Sequence, residues 1–234
     1  MNADAVASRV DPDSHGVVVA LADGIGDQAL AAQVARAAVD ASARTSCEAG
    51  PVEAVLAAQR VLRTRYPAGG DCVLVVAMPF PGCHRLAWVG NCRAYRWDAD
   101  TLEQVSADQT MAEHFRVRHQ QATPRMEHVI TNTVRTTLPE DIRWTEVNTV
   151  HSGLVLSSDG VHRVLAESVI HSVLVQPRAA IATPLAACLV DTALRLGGRD
   201  NASAVVAEHS STPHLPTPRT PGHRGTGPKS VSQR

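Results

Sequence analysis

The sequence predicts an α+β fold, with antiparallel sheets covered by helices, on three observations. Short apolar runs rich in β-branched residues, such as residues 17–22 and 72–78, have strand length and end at turn residues. Two Ala-rich stretches, 27–44 and 48–66, carry apolar residues at helical spacing. The elements run strand, two helices, several strands, short helices, strands, helix, strand, without the regular alternation that builds a parallel sheet. Two sheets packed face to face with helices outside fit this order.

Val17, Val18, Val19, Ala20 and Leu21 form a buried strand, and Asp23-Gly24 closes it with a turn signal. The helix over 27–44 places Leu30, Val34, Ala38 and Ala41 on one face, with Asp27 as its N-cap. The helix over 48–66 does the same with Val52, Val55, Leu56, Ala58, Val61 and Leu62, so the two predict an antiparallel helical layer. Strands follow over 72–78, 85–89 and 93–97, with a short partner over 102–105. Short helices over 111–118 and 126–135 flank a polar loop. Strands over 142–150 and 154–157, a helical patch over 161–165, a helix over 185–196 and a strand over 202–207 complete the body.

Residues 1–208 read as one domain, since roughly 200 residues suffice for a sizeable core. Residues 209–234 differ: they hold Pro213, Pro216, Pro218, Pro221 and Pro228, no acidic residue, and the basic residues Arg219, Arg224, Lys229 and Arg234. Such a segment has too little apolar surface to order itself and reads as a disordered tail. The net charge of -1 gives no field that draws the whole chain to nucleic acid or an anionic membrane. No run is long enough for membrane insertion, and residues 1–4 lack a signal-peptide pattern, so a cytoplasmic location is expected. The five cysteines include no C-x-x-C pair, and the eleven histidines no H-E-x-x-H, so zinc sites and a disulfide framework are not predicted.

Three carboxylates share one context. Asp23 and Asp159 follow apolar strands, and Asp200 precedes one, each beside Gly or Asn. Taken singly each reads as a turn residue. Taken together they sit at strand ends that can converge, where repulsion between carboxylates calls for a divalent cation, and oxygen-only ligands favour Mg²⁺ or Mn²⁺.

Around these residues lies an ordered set of segments. Ala22-Asp23-Gly24-Ile25-Gly26 resembles the A-D-G-x-G motif of the PPM (type 2C) metal-dependent serine/threonine protein phosphatases. Residues 89–95 resemble their V-G-D-S-R-A-Y, residues 102–110 their L-x-Q-L-T-x-D-H-S, and residues 129–131 the N-V-I-T segment beyond a mobile flap. Residues 157–161 resemble S-D-G-V, and 197–203 resemble G-G-R-D-N-A-S. The resemblance implies a four-layer αββα sandwich with two metal ions, Mn²⁺ or Mg²⁺, in the cleft between the sheets. It assigns Asp23 as the bridging ligand, the Gly24 carbonyl as a further ligand, and Asp159 and Asp200 as ligands of one ion. It implies hydrolysis of phosphoserine or phosphothreonine in a protein substrate by a metal-activated water, without a phosphoenzyme.

Residues 2–5 match the end of the family's N-terminal motif, so Asp4 stands where its acidic ligand stands, and Ala3 replaces a carboxylate. The phosphate-gripping Arg of that motif would lie before Met1; we expect a truncated start there. Asn91 and Arg163 occupy the positions of the third-metal carboxylates, and Arg cannot bind a metal, so no third ion is expected. These departures keep open a pseudophosphatase, a binding or regulatory module on the same fold. The oligomeric state and the physiological substrate are not legible.

Overall fold

The computed structural model describes residues 2–176 and 184–208; the 209–234 tail lies outside the described residues. One sheet has the order β1-β2-β3-β4-β7 and the other β6-β5-β8-β9, with every pairing antiparallel. The first is built from Asp4–Val10 (β1), Val17–Ile25 (β2), Asp71–Phe80 (β3), Cys83–Val89 (β4) and Arg143–Asn148 (β7). The second is built from Arg93–Trp97 (β5), Leu102–Gln104 (β6), Gly153–Ser157 (β8) and Ala204–Ala207 (β9). Helices α1 (Gln28–Ala43) and α2 (Gly50–Arg65) cover the first sheet. Helices α4 (Asp159–His162), α5 (Glu167–Leu174) and α6 (Leu185–Arg195) cover the second. The predicted four-layer α+β sandwich is what forms.

Strand parity generates the layers. Along β3, Cys72, Leu74, Val76 and Met78 face the helices, whereas Val73, Val75 and Ala77 face the other sheet. On β2, Ala20 and Ala22 point to the helices and Leu21 points between the sheets. Leu21, Leu74 and Leu156 are at most 1 % exposed, and burial of each contributes roughly 1.5–3 kcal/mol. The same parity carries Asp23, two residues beyond Leu21, to the inter-sheet face at the strand's end. Asp4 pairs directly with Asp23 in the β1–β2 register and therefore shares that face.

Asp27 caps α1 as expected, its Oδ1 accepting from the amides of Ala29 at 3.1 Å and Leu30 at 3.4 Å. Three elements differ from the sequence reading. Strand β1 was not anticipated, because Ala5, Val6 and Ala7 form no extended β-branched run. Helix α5 was not anticipated either. The helix predicted over 126–135 is a 3-10 turn, Pro124–His128, followed by an isolated bridge between Ile130 and Thr110 and then irregular chain. Val129, Ile130, Thr131 and Thr133 disfavour helix through their branched side chains. Asp71 then accepts from the Thr133 hydroxyl at 2.6 Å and from the Arg135 amide at 3.0 Å, and the second is a donor a helix would use. The first short helix, α3 (Met111–Arg116), forms where predicted and ends two residues sooner.

Candidate active site

The turn between β4 and β5, which carries the chain from one sheet to the other, begins at Gly90. Its φ of +89° suits only glycine, and a Cβ there would lie 2.0 Å from Val73 Cγ1. Gln109 braces this turn, with Oε1 accepting from the Gly90 amide at 2.8 Å and its own amide donating to the Gly90 carbonyl at 2.8 Å. Arg93 and Asp108 add a fork of two hydrogen bonds, 2.9 and 2.7 Å. Asp108 outweighs the burial that works against the Arg93 charge and raises the pKa of that guanidinium. This bracing fixes Asn91 at the cleft floor.

Four acidic residues named from the sequence converge on one open end of the sandwich. Asp23, Gly24, Asp159 and Asp200 line a cleft of about 490 Å³ together with Val73, Asn91, His128 and Arg163. Asp4 lies beneath it, 6 % exposed, beside Asp23 and Asp159. Asp200 is exposed at the rim, with Oδ1 accepting from the Asn201 amide at 2.8 Å.

Local sequence holds the group. Ser158 donates to Asp4 Oδ2 at 2.7 Å and receives the Ser203 amide at 3.0 Å. The Ala3 amide donates to Asn201 Oδ1 at 2.7 Å, so the last loop clasps the first strand. Gly160 permits that clasp, because a Cβ at this position would meet the Asn201 carbonyl oxygen at 1.9 Å. Asn91 Nδ2 donates to Asp159 Oδ2 at 3.3 Å, and Arg163 donates to the same oxygen at 2.8 Å. Sequence reasoning named neither Ser158 nor Asn201 as a support. Their only signal was adjacency to Asp159 and Asp200, since the partners are 154 and 198 residues away.

The electrostatics are those of crowded, under-satisfied carboxylates. Burial, and then the charges of Asp4, Asp159 and Asp200, push the Asp23 carboxyl up to about 9. Asp4 is also raised, chiefly by burial, against the hydrogen bond from Ser158. The Oδ1 atoms of both Asp4 and Asp159 are buried with no hydrogen-bond partner, an arrangement that costs free energy unless a cation satisfies it. The donors are all oxygen, the chemistry a hard divalent ion prefers. Among the described residues, however, no three His, Cys, Asp or Glu side chains close around one point, and Asp159 Oδ2 is turned to Arg163. The donor set therefore fits a divalent cation in its chemistry, with one of the two Asp159 oxygens engaged by Arg163.

Solved structures share this architecture. The serine/threonine phosphatase Stp1 of Staphylococcus aureus superposes with a TM-score of 0.76 at 19% identity, covering 89% of this chain and 89% of that one. The fold is that of the bacterial serine/threonine phosphatases. A structure of the Mycobacterium tuberculosis phosphatase PstP matches with a TM-score of 0.75 at 21% identity, over 89% of this chain and 92% of that chain. The PstP catalytic domain in complex with two manganese ions matches at 0.74 and 23% identity, over 89% and 91%. No family model and no curated protein sequence matches the chain. The PPM-like architecture is thus shared at 19–23% identity with these structures.

Proposed function

We propose that the chain is a metal-dependent phosphoprotein phosphatase that hydrolyses phosphoserine or phosphothreonine. The observation that carries this reading is the cluster of buried Asp4 and Asp159 with half-buried Asp23, with two buried, partnerless carboxylate oxygens beneath a cleft, in a fold shared with serine/threonine phosphatases. In this reading Asp4, Asp23, the Gly24 carbonyl, Asp159 and Asp200 would hold two ions, Mn²⁺ or Mg²⁺, with Asp23 as the shared ligand. The ions would supply Lewis-acid stabilisation of the phosphoryl charge and lower the pKa of the attacking water. The chain's own contribution is orientation. Ser158 aims Asp4, Asn91 aims Asp159, and the Asn201–Ala3 clasp keeps both sheets' ligands at one end. Loss of orientation is costly in such a site, because in-line transfer depends on positioning.

Hydrolysis of p-nitrophenyl phosphate and of a phosphothreonine peptide, with Mn²⁺, with Mg²⁺ and with chelator, tests the reading. We expect turnover that needs metal and disappears in Asp159→Asn. One observation favours a second reading. The 2.8 Å ion pair between Arg163 and Asp159 neutralises a ligand, as suits a pseudophosphatase that retains the scaffold for binding. Metal-independent folding with no turnover in any metal would decide for it.

A further inference from the structure

Arg163 does more in the cleft than balance a charge. It follows α4 directly, its side chain is 28 % exposed, and its guanidinium spans two parts of the molecule. Nη1 donates to Asp159 Oδ2 at 2.8 Å and lies 2.7 Å from His128 Nδ1. Nη2 donates to the Glu127 carbonyl oxygen at 2.8 Å. Glu127 in turn pairs through its carboxylate with Arg116 of α3. A continuous path therefore runs from the acidic cluster, through Arg163, to the turn Pro124–His128 and on to α3. The segment that these elements form is otherwise fastened near its base, by the Thr110–Ile130 bridge and by the hydrogen bond from the Met111 amide to the Val129 carbonyl at 2.8 Å.

A guanidinium keeps its charge at any accessible pH. An ion at Asp159, even on the partnerless Oδ1, would therefore share one carboxylate with a fixed cation or displace it, and close like charges repel. We propose that Arg163 is a built-in competitor for the ion site at Asp159 and, in the same contact, the latch that pins residues 124–128 across the cleft. Ion entry at Asp159 displaces the guanidinium and frees the turn. The competition rests on the metal reading above; the latch rests on the contacts alone.

Two measurements on the full chain separate these parts. Mn²⁺ titration by calorimetry reads the affinities, and hydrogen–deuterium exchange of the amides of residues 125–130 reads the latch, first in chelator and then in saturating Mn²⁺. In Arg163→Met we expect the weaker ion to bind up to about fivefold more tightly, the equivalent of releasing one partly exposed ion pair. We expect metal-free exchange to rise several-fold, to the level that wild type reaches only with Mn²⁺. Arg163→Lys keeps the charge but lacks a fork that reaches both partners, so exchange should rise while affinity stays near wild type. Unchanged metal-free exchange in Arg163→Met overturns the latch. Unchanged affinity overturns the competition. If Mn²⁺ binds neither protein, the metal reading itself fails and the competition with it, while the exchange arm still decides the latch.

Discussion

Asp4 and Asp11 stand at opposite ends of strand β1, 6 % and 4 % exposed, yet their carboxyls are driven in opposite directions. Asp11 is surrounded by donors. Its Oδ1 accepts from the Asp13 amide at 3.2 Å, the Ser14 amide at 2.8 Å and the Ser14 hydroxyl at 2.9 Å. Its Oδ2 accepts from the Cys47 amide at 2.9 Å, tying the hairpin turn to the link between α1 and α2. The backbone amides of Ser14 and Cys47 hold it down at about 2. Asp4 has one hydroxyl donor on Oδ2, nothing on Oδ1, and two other aspartates beside it, and its pKa is raised. Low exposure alone therefore does not tell a carboxylate satisfied by its donors from one left short of them; the inventory of donors does.

The largest expected effect tests the incomplete end. Asp23→Asn should reduce metal-dependent turnover by about 10²–10³-fold, yet leave the Tm in chelator unchanged or higher, because near neutral pH the metal-free fold must protonate Asp23 and an amide carries no such cost. A fall in metal-free Tm would break the contrast. At the complete end, Asp11→Ala should lower the Tm by several degrees while the metal dependence of turnover persists, since the Ser14 and Cys47 amides lose their acceptor.

The contrast also predicts two pH slopes of opposite sign. Asp23 binds its proton more tightly in the folded, metal-free chain than unfolded. Its contribution is full below the ordinary carboxylate range and is lost as pH rises through about 9. Asp11 binds its proton less tightly when folded. Its contribution is present above the ordinary carboxylate range and is lost as pH falls through about 2. Denaturant unfolding of metal-free protein across pH should show both slopes, and saturating Mn²⁺ should flatten the upper one alone. The smallest effect serves as a control. Asp27→Ala removes an exposed cap on α1 and should cost about 1 kcal/mol with no change in the pH slopes, measured by the same unfolding curves.

Much of this was legible because the information is local. The run Val17–Leu21 followed by Asp23-Gly24, and the spacing of Leu30 and Val34 after Asp27, specify a strand, a turn and a capped helix within a few residues. The helix expected over 126–135 was misread because what opposes it lies 62 and 64 residues earlier, on Asp71. Strand β1 was missed because it takes its shape from pairing with β2 rather than from its own composition.

The sequence by itself determined the α+β class, the strand ends that carry Asp23, Asp159 and Asp200, and the oxygen-only character of the candidate ligands. The tertiary structure decided how those ends meet. The β1–β2 register sets Asp4 against Asp23, and the Asn201–Ala3 clasp joins the two ends of the described domain. It also decided what Arg163 does, since a guanidinium's role depends on which oxygens lie within its reach, and Glu127 and Asp159 come within that reach only after the chain has folded.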